Sequence, residues 1–306
     1  MPESFDILGL GVVTVDDFLF VREYPPAEMK VRVTRRDRQC GGLTGTALVT
    51  AARRGARCAY AGILGDDEIC RFIRETFERE GVNTRHVVRR PDASALHSTI
   101  VVDETRLTRT IFYHVAGAAG ADESAPGEDV LRSAKVLFVD PYGIPGMLRA
   151  ASIARAAGAA VVADFEHGEM PRFAELLALV DHLVVPAHFA RELTGLADPA
   201  KSAKALWLKG TDTLVVTCGA DGAWFVHRSN PHEVRFQPAF IVDTVDTTGC
   251  GDVFHGAYAA ALARGLEVEG RLRLAAAAAA IKSTQPGGQR GIPTLSAVEK
   301  FLAERA

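Results

Sequence analysis

The feature that most constrains the fold is a regular alternation of short apolar runs with helix-like segments in the second half of the chain. The apolar runs lie at residues 136–139, 160–163, 183–185 and 214–217. Helical patterns separate the first three runs and follow the third, at 146–157 and near Arg172 and Arg191. Short apolar strands that alternate with helices are typical of a parallel sheet covered on both faces. Together with a buried strand expected at 5–13, they predict an α/β fold.

Two pairs of segments in the first 115 residues do not follow this alternation. Polar and apolar residues alternate along 15–21, 31–35, 98–103 and 108–114. A period of two predicts half-exposed strands. We expect the four strands to form one small sheet, a lid made of residues from about 15–38 and 97–114. No repeat or linker marks a second unit, so a single domain over residues 1–306 is predicted.

Composition excludes several classes of protein. The formal net charge is −3, which argues against a nucleic-acid-binding protein. The longest purely apolar run, 274–281, is far too short to span a membrane, and the start of the chain lacks the basic segment of a secretion signal. The five cysteines contain no C-x-x-C pair, which predicts reduced thiols in a cytoplasmic protein rather than disulfides or a zinc site.

The strongest functional signal is the segment Asp246–Asp252, with the sequence DTTGCGD. It is expected between a strand that ends near Val245 and a helix that begins near Val253. A glycine-rich turn at a helix N-terminus presents free N–H groups and the positive end of the helix dipole to an anion. A carboxylate in the first turn is placed to take a proton from an attacking hydroxyl. The alternative is that Asp252 only caps the helix.

Other nucleotide-binding motifs are weaker. The chain has no G-x-x-x-x-G-K-[ST] sequence, which argues against a P-loop kinase. Gly9 and Gly11 begin like a dinucleotide fingerprint, but Thr14 occupies the third glycine position and a strand pattern follows. A Rossmann dehydrogenase is therefore disfavoured.

With Cys250 in place of an alanine, the DTTGCGD segment resembles the D-T-x-G-A-G-D signature of the PfkB or ribokinase family of carbohydrate kinases. Similar elements occur at Gly41, Gly42 and Thr46, at Thr217, Gly219 and Gly222, and along the closing loop 286–293. The resemblance covers nearly the whole chain. It implies a ribokinase-like three-layer α/β/α core with a mainly parallel sheet and a small β-sheet lid. Several stretches are most similar to the branch that contains sulfofructose kinase, with ketohexokinases somewhat further off.

The resemblance also implies roles for single residues. Asp252 is implied as the catalytic base, with the backbone of Gly249, Cys250 and Gly251 as the anion hole for the transferred phosphoryl group. Residues implied to bind the sugar are Asp16, Lys30, Gly41, Gly42, Thr46 and Asp140. Residues implied to bind ATP are Thr217, Gly219, Gly222 and Thr248. A monovalent cation, K⁺, is implied beside Asp246, Thr248 and the loop that ends at Gly291.

One departure from the family pattern concerns Mg²⁺. The N-x-x-E element that helps to organise this ion is replaced by the sequence AHFA at 187–190. Glu166 or Glu192 is left to substitute for it through water, with the nucleotide phosphates as the main ligands.

The substrate is left open between three alternatives. The favoured one is ATP-dependent phosphorylation of a primary hydroxyl on a small, ketohexose-like sugar. The second is a sulfosugar or acidic-sugar kinase with a cationic pocket built by Lys30 with Arg32, Arg35 or Arg109, although Phe112 and Tyr142 stand at two positions where a sulfonate site needs cations. The third is a catalytically weak sugar- or nucleotide-binding homologue.

The expected partners are a small sugar and ATP, with no nucleic acid and no membrane. Exposed lid strands are sheet edges that proteins usually cover, which favours a homodimer formed through the lid.

Overall fold

A computed structural model describes residues 3–106, 108–208 and 210–305. Residues 1, 2 and 306, at the ends of the predicted domain, lie outside the described residues. The strands are β1 (Phe5–Gly9), β2 (Thr14–Val21), β3 (Arg35–Gly41), β4 (Cys58–Tyr60), β5 (Ile63–Leu64), β6 (Val88–Arg89), β7 (Leu96–Asp103), β8 (Thr108–His114), β9 (Ala134–Val139), β10 (Ala160–Asp164), β11 (His182–Pro186), β12 (Thr213–Thr217), β13 (Ala223–His227) and β14 (Asn230–Gln237). The helices are α1 (Leu43–Ala52), α2 (Glu68–Arg79), α3 (Glu128–Leu131), α4 (Ile144–Ala156), α5 (Phe173–Leu177), α6 (Ala187–Thr194), α7 (Pro199–Leu206), α8 (Cys250–Ala263), α9 (Val268–Ser283) and α10 (Leu295–Ala303).

The main sheet has eight strands in the order β14-β13-β12-β11-β10-β9-β1-β4. Neighbouring strands from β12 to β4 are parallel, whereas β13 and β14 add an antiparallel edge. Strand β1 lies between β4 and β9, so the order of the strands reverses between β1 and β9. Open α/β sheets bind ligands outside the carboxyl ends of the strands at such a switch point.

Apolar side chains alternate between the two faces of this sheet. On one face Ile7, Val136 and Val184 belong to a core shared with α1, α2, α8, α9 and α10. On the other face Leu8 and Leu137 belong to a second core, shared with α3 to α7. Burial on both faces explains why these strands are apolar throughout. The predicted three-layer α/β/α fold with a mainly parallel sheet is confirmed.

The lid is a separate four-stranded sheet in the order β3-β2-β7-β8. Strand β2 pairs in parallel with β7, with Asp16 opposite Ser98, although about 80 residues of chain lie between them. Phe18, Phe20 and Ile100 form a small apolar core on this sheet. The predicted meeting of the two strand pairs in one small sheet is confirmed.

Two predicted strands differ in the structure. The strand predicted at 31–35 is instead β3, which begins at Arg35, because ladder pairing with β2 begins where Arg35 lies opposite Phe20. Residues 22–34 form a loop, and the strand pattern of β3 is hidden because exposed arginines at 35, 36 and 38 stand where apolar residues would mark a strand. In the described segment 238–249 there is no strand, so none ends near Val245, which is exposed and donates its N–H to Ser283 O at 2.8 Å.

Within the described residues no helix is both long and apolar enough to cross a membrane.

Candidate active site

A cleft of about 410 Å³ lies between the carboxyl edge of the main sheet and the lid. Lid residues Thr14, Leu96 and Arg109 line one side. The other sides are lined by Val12, Gly42, Leu43, Tyr142, Glu166, His167 and part of the segment 247–252. The cleft therefore opens at the switch point between β1 and β9 and brings the DTTGCGD segment against the lid.

Helix α8 begins at Cys250, earlier than predicted, so its first turn carries the glycine-rich segment itself. Gly249 has φ of 74°, a left-handed conformation that favours glycine. Among the described residues no protein group accepts from the N–H of Gly249, Gly251 or Asp252, whereas Cys250 N donates to Thr247 O at 3.1 Å. The N–H groups free to meet an anion are therefore those of Gly249, Gly251 and Asp252, and Cys250 differs from the expectation.

Asp252 is half-buried in the wall of the cleft. Burial raises the pKa of its carboxyl group well above the usual range, and the nearby negative charges of Asp164 and Glu166 raise it further, while His255 acts in the opposite direction. Asp164 is 1% exposed, and its Oδ2 accepts no hydrogen bond from the described residues. A carboxylate in this field binds a proton strongly, as a general base requires.

His255 connects the first turn of α8 to the main sheet. Its Nδ1 lies 2.8 Å from Gly251 O, and its Nε2 lies 3.0 Å from Val184 O. The same Nδ1 is 3.2 Å from Asp164 Oδ2, but its N–H is directed to the Gly251 carbonyl. The imidazole thus fixes the turn that carries Asp252 and lies beside the buried carboxylate behind it.

Asp16, Gly41 and Gly42 lie close together where the lid meets the start of α1, and of the three only Gly42 lines the cleft. Asp16 is half-buried on β2, and burial raises its pKa despite hydrogen bonds from Ser98 and Thr14. A Cβ at Gly41 would collide with the Asp16 carboxylate and lie 2.6 Å from Thr14 Oγ1. Gly42 has φ of 86°, and a Cβ there would lie 2.7 Å from Val12 O. Gly41 thus makes room for the Asp16 side chain, and Gly42 allows the start of α1 to approach the backbone of residues 12–14 closely.

Asp140 does not reach the cleft. It is 0% exposed, and its carboxylate accepts from Val12 N at 2.7 Å, from Thr44 Oγ1 at 2.8 Å and from Tyr142 N at 3.0 Å. These bonds join the segment after β1, the start of α1 and the loop after β9. Asp140 therefore holds the switch point together rather than contacting a sugar, because no face of its carboxylate is open.

Two further residues differ from the sugar-binding expectation. Thr46 is 1% exposed inside α1 and is not among the residues that line the cleft. Lys30 is exposed in the loop between β2 and β3 and does not line the cleft either. The loop carries Lys30 outward because ladder pairing begins only at Arg35. Neither position could be inferred from the motif spacing.

The residues expected to bind ATP lie at the same sheet edge. Thr217 ends β12, and Gly219 opens a short 3₁₀ turn with φ of 59°. Gly222 has φ of 94°, and a Cβ there would lie 2.5 Å from Gln237 O. Since β12 is parallel to β10, this loop leaves the sheet on the side where Glu166 follows β10.

Asp246 collects donors from three parts of the chain. Its Oδ1 accepts from Thr248 N at 2.8 Å and from Thr248 Oγ1 at 2.7 Å, and its Oδ2 accepts from Gly287 N at 2.8 Å. A guanidinium nitrogen of Arg109 in the lid lies 3.6 Å from Oδ1. Burial by itself would raise the pKa of Asp246, but these hydrogen bonds and the charge of Lys282 hold it below the usual range.

Comparison with known proteins then decides the family. A family model described as pfkB family carbohydrate kinase matches residues 10–295. The chain belongs to this family.

Relatives of this pfkB-family kinase include several sugar kinases. A ribokinase from Haemophilus influenzae is 30% identical over 280 residues, which are 86% of this chain and 87% of the relative. A fructokinase from Vibrio alginolyticus is 26% identical and covers 86% of this chain and 92% of the relative. A crystal structure of a protein assigned as a ribokinase, from Agrobacterium tumefaciens, has a TM-score of 0.91 at 28% identity and covers 99% of this chain and 98% of that chain. The ribokinase-like fold is thereby confirmed, whereas the sulfofructose kinase branch is not.

Two residues beside the predicted carboxylates, Thr14 and Lys282, were not expected there. His255 lies close to the predicted segment, where a lone histidine is more often a packing residue, and Arg109 was expected only in a pocket for an acidic sugar. The signal for His255 is its position three residues after Asp252, on the same face of α8. Thr14, Arg109 and Lys282 reach the site through lid pairing and helix packing, which a single sequence does not reveal.

The buried Asp140 predicts a pH dependence of stability. Burial raises its pKa to about 6 in the folded chain, so the folded state holds the proton more tightly than the unfolded state does. The resulting stabilisation is complete below the ordinary pKa and is lost as pH rises through about 6. The free energy of unfolding of wild type, measured relative to that of Asp140→Asn, should fall by about 2 kcal/mol between about pH 4.5 and about pH 7. Urea unfolding of both proteins measures this, and an advantage that grows with pH would contradict it.

Proposed function

We propose that this kinase transfers the γ-phosphoryl group of ATP to a primary hydroxyl of a small neutral sugar, with a ketohexose favoured, and that Asp252 is the general base. The observation that carries the proposal is the position of Asp252. It stands in the first turn of α8, beside the free N–H groups of Gly249 and Gly251, in the wall of a cleft between lid and sheet. The fructokinase and ribokinase relatives support a sugar acceptor.

The reaction follows from this placement. Asp252 accepts the proton of the sugar hydroxyl, the sugar oxygen forms a bond to the γ-phosphorus, and the bond from that phosphorus to the β–γ bridging oxygen breaks to release ADP. The N–H groups at the start of α8 and the helix dipole stabilise the negative charge on the transferred group. Asp16 and Gly42 hold the sugar on the lid side, and the lid excludes water.

We place ATP along the loop from Thr217 to Gly222 and across Thr248. The positive φ of Gly219 and Gly222 lets the backbone turn closely at the end of β12. An Arabidopsis thaliana ribokinase structure, described as complexed with ribose and ATP, has a TM-score of 0.83 at 20% identity. That likeness shows the fold alone.

The residues around Asp252 fit Mg²⁺ carried in by the nucleotide. Among the described residues no three His, Cys, Asp or Glu side chains are arranged to hold a metal ion by themselves, which suits an ion bound mainly by phosphates. Glu166 lines the cleft, and the orphaned Oδ2 of Asp164 lies behind it, so Glu166 and Asp252 would hold the ion through its waters. Bound there, Mg²⁺ neutralises charge on the phosphoryl oxygens. Glu192 is exposed on α6 and does not line the cleft.

We favour a neutral sugar as the substrate because Lys30, Arg35 and Arg109 do not come together as a cationic pocket for an acidic one. Lys30 is exposed in its loop, and the guanidinium of Arg35 lies over the Phe20 ring at 3.8 Å. Arg109 reaches the cleft, but it faces Asp246.

We also propose that the chain acts as one kinase domain that dimerises through its lid. Every residue of β8 is exposed, and Ile111, Phe112 and Tyr113 form an apolar run along this edge. Sedimentation equilibrium should show a dimer for wild type and a shift toward monomer for Tyr113→Lys. A monomeric wild-type protein at micromolar concentration would contradict the proposal.

Asp252→Asn should abolish most activity. A panel of neutral and acidic sugars with Mg-ATP should show sugar-dependent ADP release for wild type, and the variant should be about 10²–10⁴-fold slower while it still binds ATP. Asp198→Asn is the matched control, since Asp198 caps α7 with its side chain outside the cleft lining. If no sugar supports ADP release although ATP binds, the chain is a binding homologue and not a kinase.

The pH profile gives a second test of the base. Asp252 must be deprotonated to act, and its pKa is raised, so kcat/KM should fall as pH drops through a value well above the ordinary aspartate pKa. Wild type should show this acid limb, and Asp252→Asn should lack it. An identical limb in the variant would assign the titration to another group.

Glu166→Gln tests the magnesium assignment. Loss of a carboxylate that holds the ion through water should raise the Mg²⁺ concentration for half-maximal activity about tenfold. Glu192→Gln should leave it unchanged. Equal responses of the two variants would remove Glu166 from the site.

A further inference from the structure

One of the seven lysines is completely buried beneath the active-site turn. Lys282 lies in the last turn of α9, is 0% exposed, and donates from Nζ to the backbone carbonyl of Asp246 at 3.0 Å. Buried lysines are rare, because an ammonium group loses its hydration on burial and needs compensating partners. The site must supply those partners.

The partners are the charged groups of the active site. Burial lowers the pKa of Lys282, but the carboxylates of Asp246 and Asp252 act in the opposite direction, with Arg109 as the repelling neighbour. The negative C-terminal end of α9 also favours a cation in its last turn. The ammonium group of Lys282 therefore lies between the carboxylates of the active-site turn and the negative C-terminal end of α9.

The same geometry disfavours a monovalent cation at Asp246. The backbone oxygen of Asp246 accepts from Lys282, and both carboxylate oxygens accept from Thr248 and Gly287. Arg109 adds a second cationic side chain at 3.6 Å. These oxygens already accept from protein donors, and the positive charges of Lys282 and Arg109 would repel a further cation there. The surroundings of Asp246 and Thr248 therefore do not fit the ion that the family resemblance implies.

We propose that Lys282 is a built-in cation that replaces a monovalent metal ion and holds the catalytic turn in its active geometry. Lys282 fixes the Asp246 carbonyl, the Asp246 carboxylate fixes Thr248 and Gly287, and these contacts orient the free N–H groups at the start of α8. Lys282 is a positioning residue, since it acts through Asp246. The kinetic part of this inference rests on the proposed kinase function.

A purely structural lysine would behave differently. If Lys282 only stabilised the end of α9, its removal would lower the melting temperature without creating a response to small cations. If it replaces a metal ion, its removal opens a site for one. Rescue by K⁺ or NH₄⁺ therefore distinguishes the two roles.

The experiment compares wild type, Lys282→Met, Lys282→Ala and the control Lys204→Met in KCl, NH₄Cl and choline chloride at constant ionic strength. Lys204 also lies in the last turn of a helix, α7, but is exposed. Wild type and Lys204→Met should be equally active in all three salts. Lys282→Met should lose about tenfold in kcat with little change in the KM for sugar. Lys282→Ala should recover activity in KCl or NH₄Cl but not in choline chloride.

Melting temperature and calorimetric titration with KCl provide a readout without turnover. Wild type should show no K⁺ binding and no K⁺-dependent rise in melting temperature, whereas Lys282→Ala should show both. These measurements decide the inference even if no sugar is phosphorylated, so its failure is distinct from failure of the proposed function. K⁺ activation or K⁺ binding in wild type would overturn it, and so would a folded Lys282→Ala that no cation affects. If both variants fail to fold, the wild-type titrations decide.

Discussion

The geometry of the site depends on the hydrogen bonds that the carboxylate of Asp246 accepts. It draws Thr248 from its own turn, Gly287 from the closing loop and Arg109 from the lid toward one point, while its carbonyl meets the buried ammonium of Lys282. The closing loop, the lid and the end of α9 are therefore fixed relative to the start of α8. If these N–H groups stabilise a transferred phosphoryl group, as we propose, their orientation has to be set beforehand by the protein.

Much of the fold was predictable because its signals are local. Apolar strands, alternating lid strands and the glycine-rich turn each have their own period or spacing, and helix α8, β8 and the lid sheet were found where expected, within a few residues. The two exceptions occur where the polarity of the residues does not match the structure of the backbone. The pattern of β3 is carried by arginines rather than apolar residues, and the segment before Asp246 is apolar at Val245 yet exposed.

The site was less predictable than the fold. Spacing singled out the DTTGCGD segment, because its residues are adjacent in sequence, whereas Asp16, Gly41 and Gly42 were expected only from the family resemblance. Asp140 is buried and Lys30 does not line the cleft, because burial and loop direction are set by distant contacts. The chain is poor in lysine, and the lysine that meets the active site is Lys282, inside an alanine-rich helix end that resembles core packing.

The parallel pairing of β2 with β7 has a consequence for the order of folding. The two strands are joined by α1, α2 and their connections, so their pairing closes a loop of roughly 80 residues, which is entropically costly until the intervening elements are compact. We therefore expect the lid sheet to form after the core beneath it. The cleft between lid and sheet is then completed only when residues more than 80 positions apart have paired.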